Sequence, residues 1–146
     1  MIPLCPLDNV RVILCSPSHP GNIGAVARAM KTMGLGSLYL VNPKSFPDKE
    51  AERRSAGAWD VLNSTKVCKN LNEALSGTTL AAAVTARQRN LSLDVFDPRQ
   101  GAQKILNQAD KSPVALVFGT ETSGLTSEEI SKCQFMVHIP ANPEYS

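Results

Sequence analysis

Short apolar runs punctuate this chain, and stretches of helical spacing separate them. Residues 10–14, 37–41, 80–84, 114–118 and 135–139 read as strands, with 66–68 a weaker one. Helices are expected over 22–33, 48–56, 71–75, 98–107 and 127–132. Asn22 is the expected cap of the first helix, with Pro20 and Gly21 supplying the turn before it. Asp97 followed by Pro98 reads as an N-cap and a first helical residue, and Thr126 with Glu129 as a capping box. The runs VALVF and LAAAV are apolar throughout, as expected of strands covered on both faces. The alternation predicts an α/β domain built on a mostly parallel sheet with helices on both faces.

In the first helix, Ile23, Val26, Ala27, Met30 and Met33 form one apolar stripe at about 100° per residue. Arg28 falls outside the stripe, beside Gly24, Ala25 and Thr32. A long cation over small residues leaves room for an anionic ligand, which a helix N-terminus also favours. The plain alternative is a solvated surface arginine.

Ligands of open parallel sheets sit beyond the carboxyl ends of the strands, so the residues after each strand matter most. His19 to Arg28 follow the first strand, and Thr85, Ala86, Arg87 and Arg89 follow the run 80–84. Arg87 and Arg89 are candidate phosphate contacts. The loop 119–126 follows VALVF. It is not a P-loop, because it lacks the Gly-Lys-Ser/Thr ending, and it lacks the G-x-G-x-x-G spacing. Its glycines, Gly119 and Gly124, allow close backbone approach to a ligand, with Glu121 as an acceptor for a hydroxyl or amine. An ordinary surface turn with a solvated glutamate fits the spacing equally well. His19 and His138 read as structural or surface residues, and His19 could line the site.

The length of 146 residues suits one domain, and 42% hydrophobic content lies in the globular range. The net charge of +2 permits nucleic-acid binding without requiring it. The four cysteines have no zinc spacing, and no metal is expected. Cys15 and Cys133 read as buried free thiols, which fits a cytoplasmic protein. The N-terminus lacks the pattern of a signal peptide, and no apolar run is long enough to span a bilayer, so no membrane partner is expected.

Three ordered blocks carry a resemblance that covers nearly the whole chain. N-I-G-A-V-A-R-A-M-K-T-M-G-L (22–35), F-G-T-E-T-S-G-L-T (118–126) and I-P-A-N-P-E-Y-S (139–146) resemble the SPOUT methyltransferases, most closely the TrmJ-type branch of the TrmH group. The resemblance implies an α/β fold with a deep C-terminal trefoil knot, and homodimers. It implies S-adenosyl-L-methionine as cofactor and RNA as substrate, with methylation of a ribose 2′-hydroxyl. For this branch the RNA is tRNA, at position 32 of the anticodon loop, with rRNA the other possibility. It places Arg28, Asn22 and Glu121 in the catalytic motifs. It places Val84, Thr85, Ala86, Gly119, Ile139 and Ser146 against the cofactor. Two departures stand out. Thr120 and Thr122 replace arginines that often occupy the second block, which removes a phosphate contact there. The chain also stops at Ser146, ahead of the serine- and leucine-rich stretch that opens the family's last helix. The expectation is therefore a single SPOUT domain over 1–146 that lacks its C-terminal knot helix. The alternative is a non-catalytic RNA- or nucleotide-binding α/β module, which loss of the cofactor loops would favour.

Overall fold

The computed structural model describes residues 5–86 and 92–142. A 3-10 turn, Pro6–Asn9, leads into β1 (Val10–Cys15) and α1 (Pro20–Thr32). Then come β2 (Ser37–Val41), α2 (Lys49–Ser55), α3 (Trp59–Asn63), β3 (Lys66–Cys68), α4 (Leu71–Leu75) and β4 (Leu80–Thr85). The remainder is β5 (Val95–Phe96), α5 (Pro98–Ala109), β6 (Val114–Phe118), α6 (Ser127–Ser131) and β7 (Phe135–His138). The strands form one sheet in the order β3-β2-β1-β6-β4-β7-β5, and every pairing is parallel. The expected α/β class with a parallel sheet is what the chain adopts.

The period of two along each strand divides the core into two layers. Val12 and Leu14 of β1 face α1, α2 and α3, packing with Ile23, Ala27, Met30, Leu38, Leu40 and Val61. On the same face α5 covers Val10, Ala82, Val114, Phe135 and Val137 through Ile105 and Ala109. Ile13 and Cys15 point the other way, toward Leu71 and Ala74 of α4 and toward Leu125 and Ile130 around α6. Both faces are covered, which explains the unbroken apolar runs. Cys15 and Cys133 are buried free thiols, as expected. Burial pushes both thiols up, Cys133 to about 12, and the Glu129 carboxylate adds to the effect, so they stay protonated.

Both predicted boxes cap their helices: Asp97 with Gln100 starts α5, and Thr126 with Glu129 starts α6. The first helix departs from expectation. It begins at Pro20, with His19 as N-cap, so Asn22 lies inside the first turn and caps nothing. Proline fits the first helical position because its missing N–H has no partner there anyway. Gly24 also differs from its expected place in an open floor beneath Arg28. A Cβ there would stand 2.2 Å from the Ala51 carbonyl oxygen, so Gly24 is the point where α1 and α2 touch.

Candidate functional site

Strand order reverses between β1 and β6, because β1 leads outward to β2 while β6 sends the chain toward β7. Loops diverge at such a point and leave a crevice at the carboxyl edge. The loops after β1 and β6 meet there through one side chain. The Glu121 carboxylate accepts from the Ser18 N–H at 3.2 Å, the Ser18 hydroxyl at 2.9 Å and the His19 N–H at 3.3 Å. Partial burial alone would raise the Glu121 pKa. The N–H groups of Glu121 itself, Ser18 and His19, with the Ser18 hydroxyl, outweigh it and hold the group at about 2. Glu121 is therefore ionised at neutral pH and sits at the positive end of α1. The anion favoured at this helix N-terminus is the protein's own glutamate.

The β6 loop closes tightly on itself. Thr120 and Gly124 exchange backbone hydrogen bonds, and the Thr120 hydroxyl accepts from the Ser123 N–H at 3.1 Å. A Cβ on Gly119 would lie 2.0 Å from the Gly124 carbonyl carbon and 2.2 Å from the Leu125 nitrogen. Gly119 is thus required by the loop's own closure, where the sequence suggested the approach of a ligand. Thr120 and Thr122 leave this loop without a cation, as the departure from the family pattern indicates.

Two cavities meet at this loop. One, of roughly 310 Å³, is lined by Val84, Thr85, Ala86, the segment 118–124 and Ile139. It gathers the ends of three separate strands, and Ile139 is held beside β4 by its N–H donating to the Thr85 carbonyl. The other, of roughly 490 Å³, lies between α1 and the sheet. Its wall includes Asn22, Val26, Met30, Leu116 and Phe118, and it shares Phe118, Gly119 and Glu121 with the first.

Of the residues singled out from sequence, the structure gathers Val84, Thr85, Ala86, Gly119, Glu121 and Ile139 around one cavity. Asn22 lines the adjoining one. Arg28 lines neither. It lies exposed on α1 and makes no ion pair or side-chain hydrogen bond among the described residues. Arg87, Arg89 and Ser146 lie outside the described residues. His138 bonds the Ala86 carbonyl through Nε2 at 3.2 Å, and so props the β4 loop. Sequence reasoning missed Ser18, the main partner of Glu121. Its only signal was a hydroxyl residue after the first strand.

An all-parallel sheet with a crevice at its switch point, lined by tight loops from three strand ends, defines an α/β protein that binds its ligand across loops. Within that class the chain belongs to the SpoU rRNA Methylase family, whose family model matches residues 9–146. It is 50% identical over 140 residues to the tRNA (cytidine/uridine-2′-O-)-methyltransferase TrmJ of Sodalis glossinidius, covering 96% of this chain and 55% of that protein. A probable methylase family protein from Haemophilus influenzae Rd KW20 superposes with a TM-score of 0.88 at 45% identity, over 96% of this chain and 59% of that one. TrmJ from Z. mobilis ZM4 superposes with a TM-score of 0.89 at 34% identity, over 93% and 60%. The chain thus spans little more than half the length of the curated relatives it matches.

Proposed function

We propose that this chain is the methyl-transferring part of an S-adenosyl-L-methionine-dependent tRNA ribose 2′-O-methyltransferase. Its target is read as position 32 of the anticodon loop, and the protein as a cytoplasmic homodimer. The relatives that carry a tRNA name share half of its residues, which favours tRNA over rRNA. One observation supports the reading most: Val84 to Ala86, Gly119 to Gly124 and Ile139 line a single cavity at the carboxyl edge.

The residues there fit the cofactor. Tightly turned backbone at 119–124 offers N–H and carbonyl groups to a nucleoside, and Ile139, 43% exposed, offers an apolar wall to a purine. When bound, S-adenosyl-L-methionine supplies a methyl group already activated on a sulfonium. The protein then has to place a ribose hydroxyl and help it lose its proton. Arg28 suits the first task and part of the second. A guanidinium keeps its charge at any working pH, so it is a poor base. It holds the neighbouring phosphate and stabilises developing negative charge on the 2′-oxygen, while the proton leaves to phosphate or water. Arg28 stands around α1 from Asn22, outside both cavities, so its partner in this reading is the RNA strand crossing α1. Glu121, fully engaged by Ser18 and His19, positions the start of α1 against the β6 loop. The apolar groove between α1 and the sheet is the surface a second copy would cover.

Arg28→Ala tests the assignment. Methyl transfer to tRNA should fall at least a hundredfold, as expected for loss of a transition-state donor, while calorimetry shows S-adenosyl-L-methionine binding unchanged. Arg28→Lys should stay severely impaired, because it keeps the charge but loses the planar fork. Near-normal turnover in Arg28→Ala would remove Arg28 from the mechanism.

A further inference from the structure

Arg28 belongs to a larger surface that the cavities do not include. Gly21, Gly24, Arg28 and Lys31 follow one another along one side of α1. At the start of this stripe lies α2: the Arg54 Cβ is 2.9 Å, and its Cγ 3.6 Å, from the points where side chains at Gly24 and Gly21 would begin. At its far end lies α3, whose Asp60 takes the Lys31 ammonium at 2.8 Å. Arg28 stands between these anchors. Helical side chains lean toward the N-terminus, so Arg28 extends toward the turn that Arg54 covers.

The charges do not cancel. Glu50 is shared by two cations, its Oε2 2.9 Å from Arg53 Nη2 and its Oε1 3.0 Å from Arg54 Nε. One carboxylate therefore serves two guanidiniums, and Lys31 neutralises Asp60. The other acidic residues of α2, Asp48 and Glu52, face a separate cavity with Phe46 and Leu62. Arg28 and one further guanidinium remain as surplus positive charge. The chain's one tryptophan, Trp59, directly precedes Asp60 and is 50% exposed, although α3 has Val61 and Leu62 to bury. An indole left half in solvent beside unneutralised arginines suits a flat, anionic, unpaired partner: base stacking on the ring and phosphates on the guanidiniums.

We propose that Trp59, Arg53 and Arg54, continuing the line of Arg28, form the face that grips the single-stranded loop of the RNA, with Trp59 stacking on an unpaired base. The proposal rests on the reading of RNA as substrate and adds how the strand is held. Trp59 and Arg53 would be binding residues, and Arg54 would bind while bracing α2 on α1.

The test uses the intact protein and an RNA stem-loop, with the same stem closed as a blunt duplex for comparison. Binding is followed by anisotropy of labelled RNA and by tryptophan emission. The stem-loop should bind more tightly than the duplex and quench the emission. Trp59→Ala should weaken stem-loop binding about tenfold or more, and Trp59→Phe should restore most of it. Arg53→Gln with Arg54→Gln keeps the stem on Gly24 and should lower the salt dependence of binding by about one in log–log slope. Melting temperatures of all variants check that the fold is intact. Wild-type binding with Trp59→Ala and the double Gln variant equally tight overturns this surface alone. If the wild-type protein binds neither RNA, the substrate reading falls and the surface with it.

Discussion

At the scale of single residues, Glu121 ties the β1 and β6 loops together because it is charged. Its folded pKa lies well below the ordinary carboxylate value, so the clamp contributes fully above about pH 4.5 and is lost as pH falls toward 2. Glu121→Gln should therefore lower the melting temperature at pH 7, and the gap to wild type should close as pH falls through that window. A gap independent of pH would show that the charge is irrelevant to the clamp. Gly119 makes a second prediction. Any Cβ there meets the backbone of Gly124 and Leu125, which cannot move aside as a flexible side chain can. Gly119→Ala should cost about 2 kcal/mol or more in chemical denaturation, the range of overpacking at a tight contact, and should weaken cofactor binding through the distorted loop. Unchanged stability would contradict the contact. The sequence offered Gly119 and Glu121 as ligand-facing residues. It could not show that each has a partner within the chain, because Ser18 is far from Glu121 in sequence and nothing in local spacing joins them.

At the scale of elements, the short connection between α2 and α3 stores strain. Ala56 has φ 48° and ψ −117°, a conformation natural to glycine and costly for any residue with a Cβ. Ala56→Gly should stabilise the protein by about 1 kcal/mol, seen as a higher denaturation midpoint with the same slope. A loss of stability would mean that the extra freedom of glycine in the unfolded chain outweighs the relief. Elements with strong periodicity or capping chemistry were legible: the six strand runs, α5 with Asp97 and Gln100, and α6 with Thr126 and Glu129. The short ones were not. Val95–Phe96 is a strand only because β7 lies beside it, and Trp59–Asn63 is a helix of five residues behind a strained turn. The start of α1 was misplaced because Asn22 is a better cap by type than His19. Pro20 fixes the first turn instead, and Glu121, from another element, occupies the N-terminal end.

At the scale of the whole molecule, the parallel order of strands was implied by alternation. The order β3-β2-β1-β6-β4-β7-β5 was not, since periodicity says nothing about which strands become neighbours. That order brings residues 84–86, 118–124 and 139 to one cavity, and only the resemblance carried by the three motif blocks had grouped them beforehand. The central claim joins that cavity to the cationic edge of α1: methyl transfer from one, on a strand held by the other. The direct measurement is mass spectrometry of nucleosides from tRNA incubated with the intact protein and S-adenosyl-L-methionine. The account predicts a methyl group on the ribose of one anticodon-loop nucleotide, with the adjoining phosphodiester resistant to alkali, and none when Arg28→Ala replaces wild type. A methyl group on a base, or RNA bound with no methyl transferred, would contradict it, and the second result would leave the chain as an RNA-binding module.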